Sequence, residues 1–214
     1  MQLSSDQITR TCMEQEIYEP LLALDNKKIL ELGCGKAEIT RQIAGRGSNR
    51  RITATEVDRV QHEKNLLIED LPNVTFLAAG AEAIPLAENS CDLVLMFKSL
   101  HHVPVEAMDQ ALSEIHRVLK PGGHAYISEP LFAGNFNEVL RLFHDEEQVR
   151  RAAFAALKKT VEEGRFRSLT QIFFNLPLHF EDFADFESKV INVSHSNHQL
   201  SGSLLQLVKT RFLE

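Results

Sequence analysis

A strand followed by a glycine-rich turn is the stretch of this sequence best suited to chemistry. Residues 28–32 form a largely apolar run that contains Glu31, and Gly33 and Gly35 follow one residue apart. Glycines at this spacing allow a sharp backbone turn and let a ligand approach the main chain closely. The helix predicted to begin near Ala37 presents unpaired N–H groups at its start. Together with the carboxylate of Glu31, this stretch predicts a site for a nucleoside that carries a positive charge.

Polar residues follow the next predicted strands. Glu56 lies at the tip of strand two, where a carboxylate can accept hydrogen bonds from both hydroxyls of a ribose. Asp58 is the competing candidate for that role. The loops after strands three and four supply a second group of polar and small residues: Gly80, Ala81, Glu82, Lys98, Ser99, His101 and His102.

Strands and helices must alternate to position these residues. The sequence predicts strands over 28–32, 52–57, 74–78, 93–97 and 124–128, and helices over 5–24, 37–44, 59–69 and 105–119. The helix over 105–119 has the clearest amphipathic spacing and stops at 120–123, where Pro and Gly follow. This alternation predicts an α/β fold with a doubly wound, mostly parallel sheet.

The remainder of the chain predicts a helical cover. Helices are expected near 135–144, 146–163, 181–190 and 201–212, and 11 of the 13 phenylalanines lie beyond residue 131. We interpret the chain as a single domain over 1–214, with a ligand-binding core over 1–130 and a mainly helical substrate-side cover over 131–214. We expect the phenylalanines to form a core rather than an aromatic box around a substrate. We expect the basic residues of the cover, Arg150 among them, to lie on a solvated face.

Composition narrows the class of partner. The net charge of −7, with 23 basic against 30 acidic residues, disfavours nucleic acid. Three widely spaced cysteines disfavour a disulfide framework and favour a reducing compartment. Residues 1–10 lack an apolar leader segment, and no apolar run approaches the length of a bilayer span. We therefore expect a cytoplasmic protein without a membrane span, and the oligomeric state stays open.

The residue after the glycine turn narrows the class of ligand. A dinucleotide site requires a third glycine where this chain has Glu38, whose carboxylate would repel a pyrophosphate. No Gly-Lys-Ser/Thr sequence follows the turn, so a Walker-type loop is absent. The remaining nucleoside ligand that is cationic and lacks phosphate is S-adenosylmethionine.

The sequence resembles class I S-adenosylmethionine-dependent methyltransferases, in particular the small-molecule subgroup of the ubiquinone and biotin pathways. The resemblance covers roughly residues 28–128 in family order. Its motifs are Ile29-Leu30-Glu31-Leu32-Gly33-Cys34-Gly35, Glu56, Ala81-Glu82-Ala83-Ile84-Pro85-Leu86, Ser90-Cys91-Asp92-Leu93-Val94, Leu100-His101-His102-Val103 and Glu114-Ile115-His116-Arg117-Val118-Leu119-Lys120-Pro121-Gly122-Gly123. The resemblance implies a Rossmann-like methyltransferase fold and S-adenosylmethionine as the cofactor.

The resemblance also implies roles for residues at the strand ends. Glu31 would act near the methionine amino group, directly or through water, and Glu56 would hold the ribose. The backbone of Ala81 would meet the adenine edge, and Lys98 would offer its carbonyl to the amino group. The predicted cofactor-binding residues are Glu31, Gly33, Cys34, Gly35, Glu56, Val57, Gly80, Ala81, Glu82 and Lys98.

Three positions depart from the family pattern. Ala37 replaces a third glycine of the turn, and Cys91 replaces an aromatic residue. The third is Gly80, which stands where the family has an acid that binds the adenine amino group. Glu82 or a backbone carbonyl could substitute for that acid.

Two residues are candidates for catalysis. His101 follows strand four, where a base facing the acceptor would lie, and imidazole titrates in the useful range. Glu129, at the end of strand five, could bind an amine or orient a base. A structural role for either residue stays open. His195 and His198 are three residues apart, but no third ligand is suitably spaced, so the sequence predicts no metal site.

The sequence therefore predicts transfer of a methyl group from S-adenosylmethionine to a small or medium-sized, partly apolar acceptor. A non-catalytic binding or regulatory module with the same fold is the first alternative, favoured by Gly80. An NAD-dependent oxidoreductase is the second, and Glu38 disfavours it.

Overall fold

The computed structural model describes residues 1–5, 8–192 and 198–214. In those residues five parallel strands form one sheet in the order β3-β2-β1-β4-β5. The strands are β1 (Lys28–Leu32), β2 (Arg51–Glu56), β3 (Val74–Ala78), β4 (Cys91–Phe97) and β5 (Leu119–Ser128). The predicted α/β fold with a parallel sheet is confirmed.

Helices cover the sheet and build the second half of the chain. They are α1 (Gln15–Leu21), α2 (Glu38–Ala44), α3 (Arg59–Asn65), α4 (Met108–Val118), α5 (Asn135–Leu140), α6 (Glu147–Glu162), α7 (Phe183–Phe186) and α8 (Gly202–Leu213). Short 3-10 turns precede α4 at Leu100–His102 and Val105–Ala107, and a π-helical turn, Glu187–Ile191, follows α7.

Alternating side chains of the central strands bury two separate apolar layers. Leu30 and Leu32 of β1 face a layer that includes the buried stripe of α4. Ile29 of the same strand faces the opposite layer, where it meets α1 and α2. A strand buried on both faces has a nearly continuous apolar sequence, as β4 does.

Two elements differ clearly in their bounds from the sequence prediction. The first helix begins only at Gln15, because Cys12 and Arg10 make backbone hydrogen bonds with Asn175 instead. Strand β5 begins at Leu119 and takes in the Pro-Gly-Gly sequence, with an irregular register against Cys91. Tertiary pairing determines both differences, and local sequence carries no signal of it.

The second half of the chain forms its own apolar cluster. Val139, Phe186, Ile191 and Val208 are its buried members, and further phenylalanines pack around them. Most of the phenylalanines therefore build a core, as the sequence favoured. The division into a core over 1–130 and a cover over 131–214 stays a prediction.

In the part of the chain that the structure describes, no helix has the length and apolar character needed to cross a membrane. Cys12, Cys34 and Cys91 are free, buried thiols. His195, which the sequence analysis weighed as a metal ligand, lies outside the described residues.

Candidate active site

The carboxyl ends of four strands meet along one edge of the sheet. Leu32 of β1 pairs with Thr55 of β2 and Met96 of β4, and Glu56 pairs with Ala78 of β3. The residues that follow these strands are therefore neighbours. Strands lie about 4.8 Å apart, so the edge from β3 to β4 spans roughly 14 Å. The strand order reverses between β1 and β4, which is where open α/β sheets bind ligands.

The glycine turn after β1 has one closed side and one open side. Gly33 has a φ of +74°, and a Cβ there would lie 2.7 Å from Cβ of Ser99. The hydroxyl of Ser99 donates to the carbonyl of Leu32 at 2.8 Å, which fixes this close approach. Gly35 has a φ of +54°, and a Cβ there would meet no atom within 4 Å. The turn therefore leaves an open cradle over Gly35 that a ligand could occupy.

Glu31 lies buried against α2. Its Oε2 accepts a 2.7 Å hydrogen bond from the hydroxyl of Thr40, and the residue is 2% exposed. Burial raises the pKa of Glu31 to about 7, although the Thr40 hydrogen bond lowers it in part. In this structure the Glu31 carboxyl connects β1 to α2 through Thr40, and its role at a methionine amino group stays a prediction.

Glu56 ties the glycine turn to the end of β2. Its Oε2 accepts from the N–H of Gly35 at 2.7 Å, and its Oε1 accepts from the N–H groups of Val57 and Asp58 at 2.8 and 2.9 Å. An ionised carboxylate has about four acceptor positions, so one remains for a ligand hydroxyl. The carboxylate of Asp58 caps α3 instead, by accepting from the N–H of Val60 at 2.9 Å.

Cys34 lies buried between the turn and α3. The side-chain amide of Asn65 donates to its Sγ at 3.5 Å and to the carbonyl of Gly35 at 2.8 Å. Burial, followed by the charges of Glu31 and Glu56, raises the pKa of the Cys34 thiol to about 12. The thiol is therefore neutral at physiological pH and acts as packing. Asn65, the last residue of α3, is thus a further residue that contacts this turn, and no motif indicated it.

The side chain of Glu82 lies over Gly80. A Cβ built on Gly80 would overlap the carboxylate of Glu82, so this carboxylate occupies the space that a side chain at position 80 would fill. Ala81 between them is buried. An acidic group is thus present after β3 in the space next to Gly80, although Gly80 stands where the family has an acid.

The loop after β4 brings together the two residues predicted for catalysis. Nδ1 of His101 lies 2.6 Å from Oε2 of Glu129, and the other oxygen of Glu129 accepts from the N–H of Leu100 at 2.8 Å. The His101 ring is 3% exposed. Lys98 has a φ of +55° and donates its N–H to the carbonyl of Ser128 at 2.7 Å, which fixes the loop on β5.

A buried ion pair from the second half of the chain completes this loop. Oε1 of Glu146 lies 3.8 Å from Nε2 of His101, and Oε2 of Glu146 accepts from Arg150 at 2.5 Å. Burial acts to raise the pKa of Glu146, but the Arg150 hydrogen bond and nearby positive charge lower it below its usual value. The prediction that Arg150 lies on a solvated face is wrong, because the residue is 9% exposed.

A large cavity opens beside this loop. Its volume is about 1670 Å³, and it extends along β5 to the segment 165–178. Lys98, His101 and Glu129 line one end of it, whereas the glycine turn lies outside it. Six phenylalanines also line it: Phe132, Phe136, Phe154, Phe166, Phe173 and Phe174. The predicted catalytic residues therefore lie between the strand-end crevice and a partly apolar cavity.

Comparisons with known proteins find similarity to methyltransferases. A family model described as a methyltransferase domain matches residues 29–123. An uncharacterized methyltransferase of Mycobacterium bovis is 33% identical over 108 residues, which cover 50% of this chain and 42% of that protein. Methyltransferase GfsG of Streptomyces halstedii is 32% identical over 135 residues, which cover 59% of this chain and 46% of that protein. The crystal structure of the YcgJ protein of Bacillus subtilis matches with a TM-score of 0.61 at 17% identity, over 88% of this chain and 77% of that one.

Residues 29–123 are thus similar to a methyltransferase domain, as the predicted class, the class I S-adenosylmethionine-dependent methyltransferases, requires. The similarity to YcgJ, at a TM-score of 0.61, supports the Rossmann-like fold alone. S-adenosylmethionine is the cofactor that the class implies. The chain spans less than half the length of the two curated relatives. The ubiquinone- or biotin-pathway subgroup stays a prediction.

Proposed function

We propose that this protein transfers a methyl group from S-adenosylmethionine to a small or medium-sized, partly apolar acceptor. The observation that carries the proposal is the convergence of an open glycine turn and two carboxylates along one edge of the sheet. Gly35 leaves the cradle open, Glu56 retains an acceptor position beside it, and Glu82 restores an acid after β3.

The strand-end residues fit an adenosine that carries a positively charged amino-acid end. Glu56 would accept a ribose hydroxyl, and Glu82 would accept the adenine amino group. Lys98 would offer its carbonyl to the ammonium group, since its left-handed backbone changes the chain direction there. When bound, S-adenosylmethionine supplies a methyl group on a positively charged sulfonium. The protein then has to hold the acceptor in line and exclude water.

The acceptor would occupy the cavity beside β5. Its apolar part would pack against the phenylalanines, and its reacting atom would approach the His101–Glu129 pair. Because Nδ1 of His101 lies against Glu129, the other ring nitrogen, Nε2, is on the side of Glu146, which also lines the cavity. His101 and Glu129 are our candidates for the acceptor side of the reaction.

The two alternatives receive less support. The binding-module alternative depended on the missing acid at Gly80, and the carboxylate of Glu82 lies in that space. The oxidoreductase alternative requires a pyrophosphate at the start of α2, where Glu38 is the first helical residue.

Two substitutions test the proposed cofactor site by calorimetric titration with S-adenosylhomocysteine. Glu82→Ala should weaken binding about 10-fold to 150-fold, because a charge-assisted hydrogen bond contributes about 1.5–3 kcal/mol. Glu56→Ala should weaken it at least about tenfold, which is about 1.4 kcal/mol. Glu69→Ala, an exposed acid after α3, is the matched control and should not change affinity. Unchanged affinity in both test variants would refute the assignment of these carboxylates.

A further inference from the structure

Two adjacent histidines and a glutamate from the second half of the chain converge beside the acceptor cavity. His101, His102 and Glu146 each offer one ligand atom, and these three atoms lie within 4.8 Å of one another. All three residues line the cavity wall. Neither the sequence motifs nor the proposed methyl transfer requires Glu146 at this place.

The hydrogen bond to Glu129 fixes the His101 ring in one orientation. An ionised carboxylate only accepts hydrogen bonds, so Nδ1 of His101 donates to Glu129 across 2.6 Å. A neutral ring then has a lone pair on Nε2, which faces Oε1 of Glu146 at 3.8 Å. Two acceptor atoms that face each other are stabilised by a cation between them. Metal-ligating histidines donate their other N–H to a carboxylate in this way.

Arg150 and His144 also hold the carboxylate of Glu146, one at each oxygen. Arg150 donates to Oε2 at 2.5 Å, and its other terminal nitrogen donates to the side chain of Asn137 at 2.7 Å. Nε2 of His144 lies 2.8 Å from Oε1. Glu146 is thereby fixed with Oε1 towards His101, which is the orientation that a shared ligand requires.

The charge around the three residues suits a divalent cation. Glu129 and Glu146 contribute two negative charges, and Arg150 contributes one positive charge, so the group has a net charge of −1 when the histidines are neutral. The ring of His102 packs on that of His101, with centroids 4.1 Å apart. His102 is exposed and lines the cavity wall.

We propose that His101, His102 and Glu146 form a binding site for a divalent transition metal, zinc being the best match. Two histidines and one glutamate are an established ligand set for zinc sites that keep a fourth position open. Neighbouring ligands of tetrahedral zinc lie roughly 3.4 Å apart, given bond lengths of about 2.0–2.2 Å. Nε2 of His101 and Oε1 of Glu146 would therefore approach each other by about 0.4 Å.

The fourth position would face the cavity, where an oxygen or nitrogen atom of the acceptor could bind. This role towards the acceptor rests on the proposed function, whereas metal binding itself does not. Sequence reasoning predicted no metal site, because Glu146 is 45 residues from His101 and no local spacing connects them.

Metal titration of the full chain tests the proposal. The protein is treated with a chelator, dialysed and titrated with zinc chloride by calorimetry, and the bound cobalt(II) complex is then followed by visible absorption. We expect one ion per chain in the wild type and a tetrahedral cobalt spectrum. His102→Ala and Glu146→Gln should each weaken zinc binding at least tenfold and remove that spectrum. Glu146→Gln keeps the shape of the side chain, and circular dichroism checks that both variants fold.

His116→Ala is the matched control, since His116 lines the same cavity but packs on Phe166. It should bind zinc as the wild type does. Less than half an ion per chain in the wild type, or a zinc affinity in His102→Ala and Glu146→Gln equal to that of the wild type, would overturn the site. Binding of S-adenosylhomocysteine to the chelated protein is measured in parallel. Cofactor binding without zinc binding refutes only the metal site, and the opposite result refutes only the cofactor proposal.

Discussion

Replacing the buried carboxyl of Glu31 by an amide should stabilise the protein at alkaline pH. Burial raises the pKa of Glu31 to about 7 from a usual value of 4.5. The folded protein therefore binds the proton more tightly than the unfolded chain, so stability is present at low pH and is lost as the pH rises to 7. The rise in pKa from 4.5 to about 7 corresponds to a loss of about 3 kcal/mol of stability, since one pH unit is about 1.4 kcal/mol.

Glu31→Gln imitates the protonated carboxyl at every pH. Its amide oxygen can accept the hydrogen bond that Thr40 donates to Oε2. The free energy of unfolding of the variant should therefore exceed that of the wild type by about 3 kcal/mol at pH 8, and by less than about 1 kcal/mol at pH 5. Urea unfolding at the two pH values measures this difference.

Glu38→Gln, at an exposed acid of the same turn, is the control and should show no such pH dependence. Equal stability of Glu31→Gln and the wild type at pH 8 would refute the reasoning, because it would mean that the carboxyl is hydrated in the folded protein.

The remaining predictions concern the turn and the acceptor side. Gly33→Ala should lower the free energy of unfolding by about 2–4 kcal/mol, because it adds a left-handed backbone penalty to an overlap with Ser99. Gly164→Ala is the control, because Gly164 has a φ of +77° but open space around it. It should cost only about 1 kcal/mol in the same urea assay. An equal cost at both glycines would contradict the close approach. His101→Ala should reduce turnover with the acceptor and leave the affinity for S-adenosylhomocysteine unchanged, and an unaltered rate would make His101 a structural residue.

The sheet could be predicted from the sequence because its central strands and α4 are defined by local patterns. The run 93–97 is apolar throughout, and the amphipathic stripe before the Pro-Gly-Gly sequence matches the observed helix closely. Glu31 and Glu56 were found for the same reason, since each lies at the end of a recognisable strand. Those positions follow from spacing along the chain, and spacing can be read without tertiary information.

The contacts across the chain could not be predicted. Glu146 reaches His101 only because α6 packs beside the loop after β4, and nothing near either residue indicates it. The direction of the Glu82 side chain over Gly80 is likewise a property of the folded loop. The helix predicted over 5–24 is shorter because residue 175 pairs with the chain near Cys12. In each case the partner is distant in sequence.

The central claim is that the strand-end crevice binds S-adenosylmethionine. Calorimetric titration of the wild-type chain with S-adenosylmethionine, S-adenosylhomocysteine and NADH tests it most directly. We predict saturable binding of one S-adenosylmethionine or S-adenosylhomocysteine per chain at micromolar concentrations, and no binding of NADH. No heat of binding for either adenosyl ligand at high micromolar concentration would contradict the account, and binding of NADH alone would favour the oxidoreductase alternative.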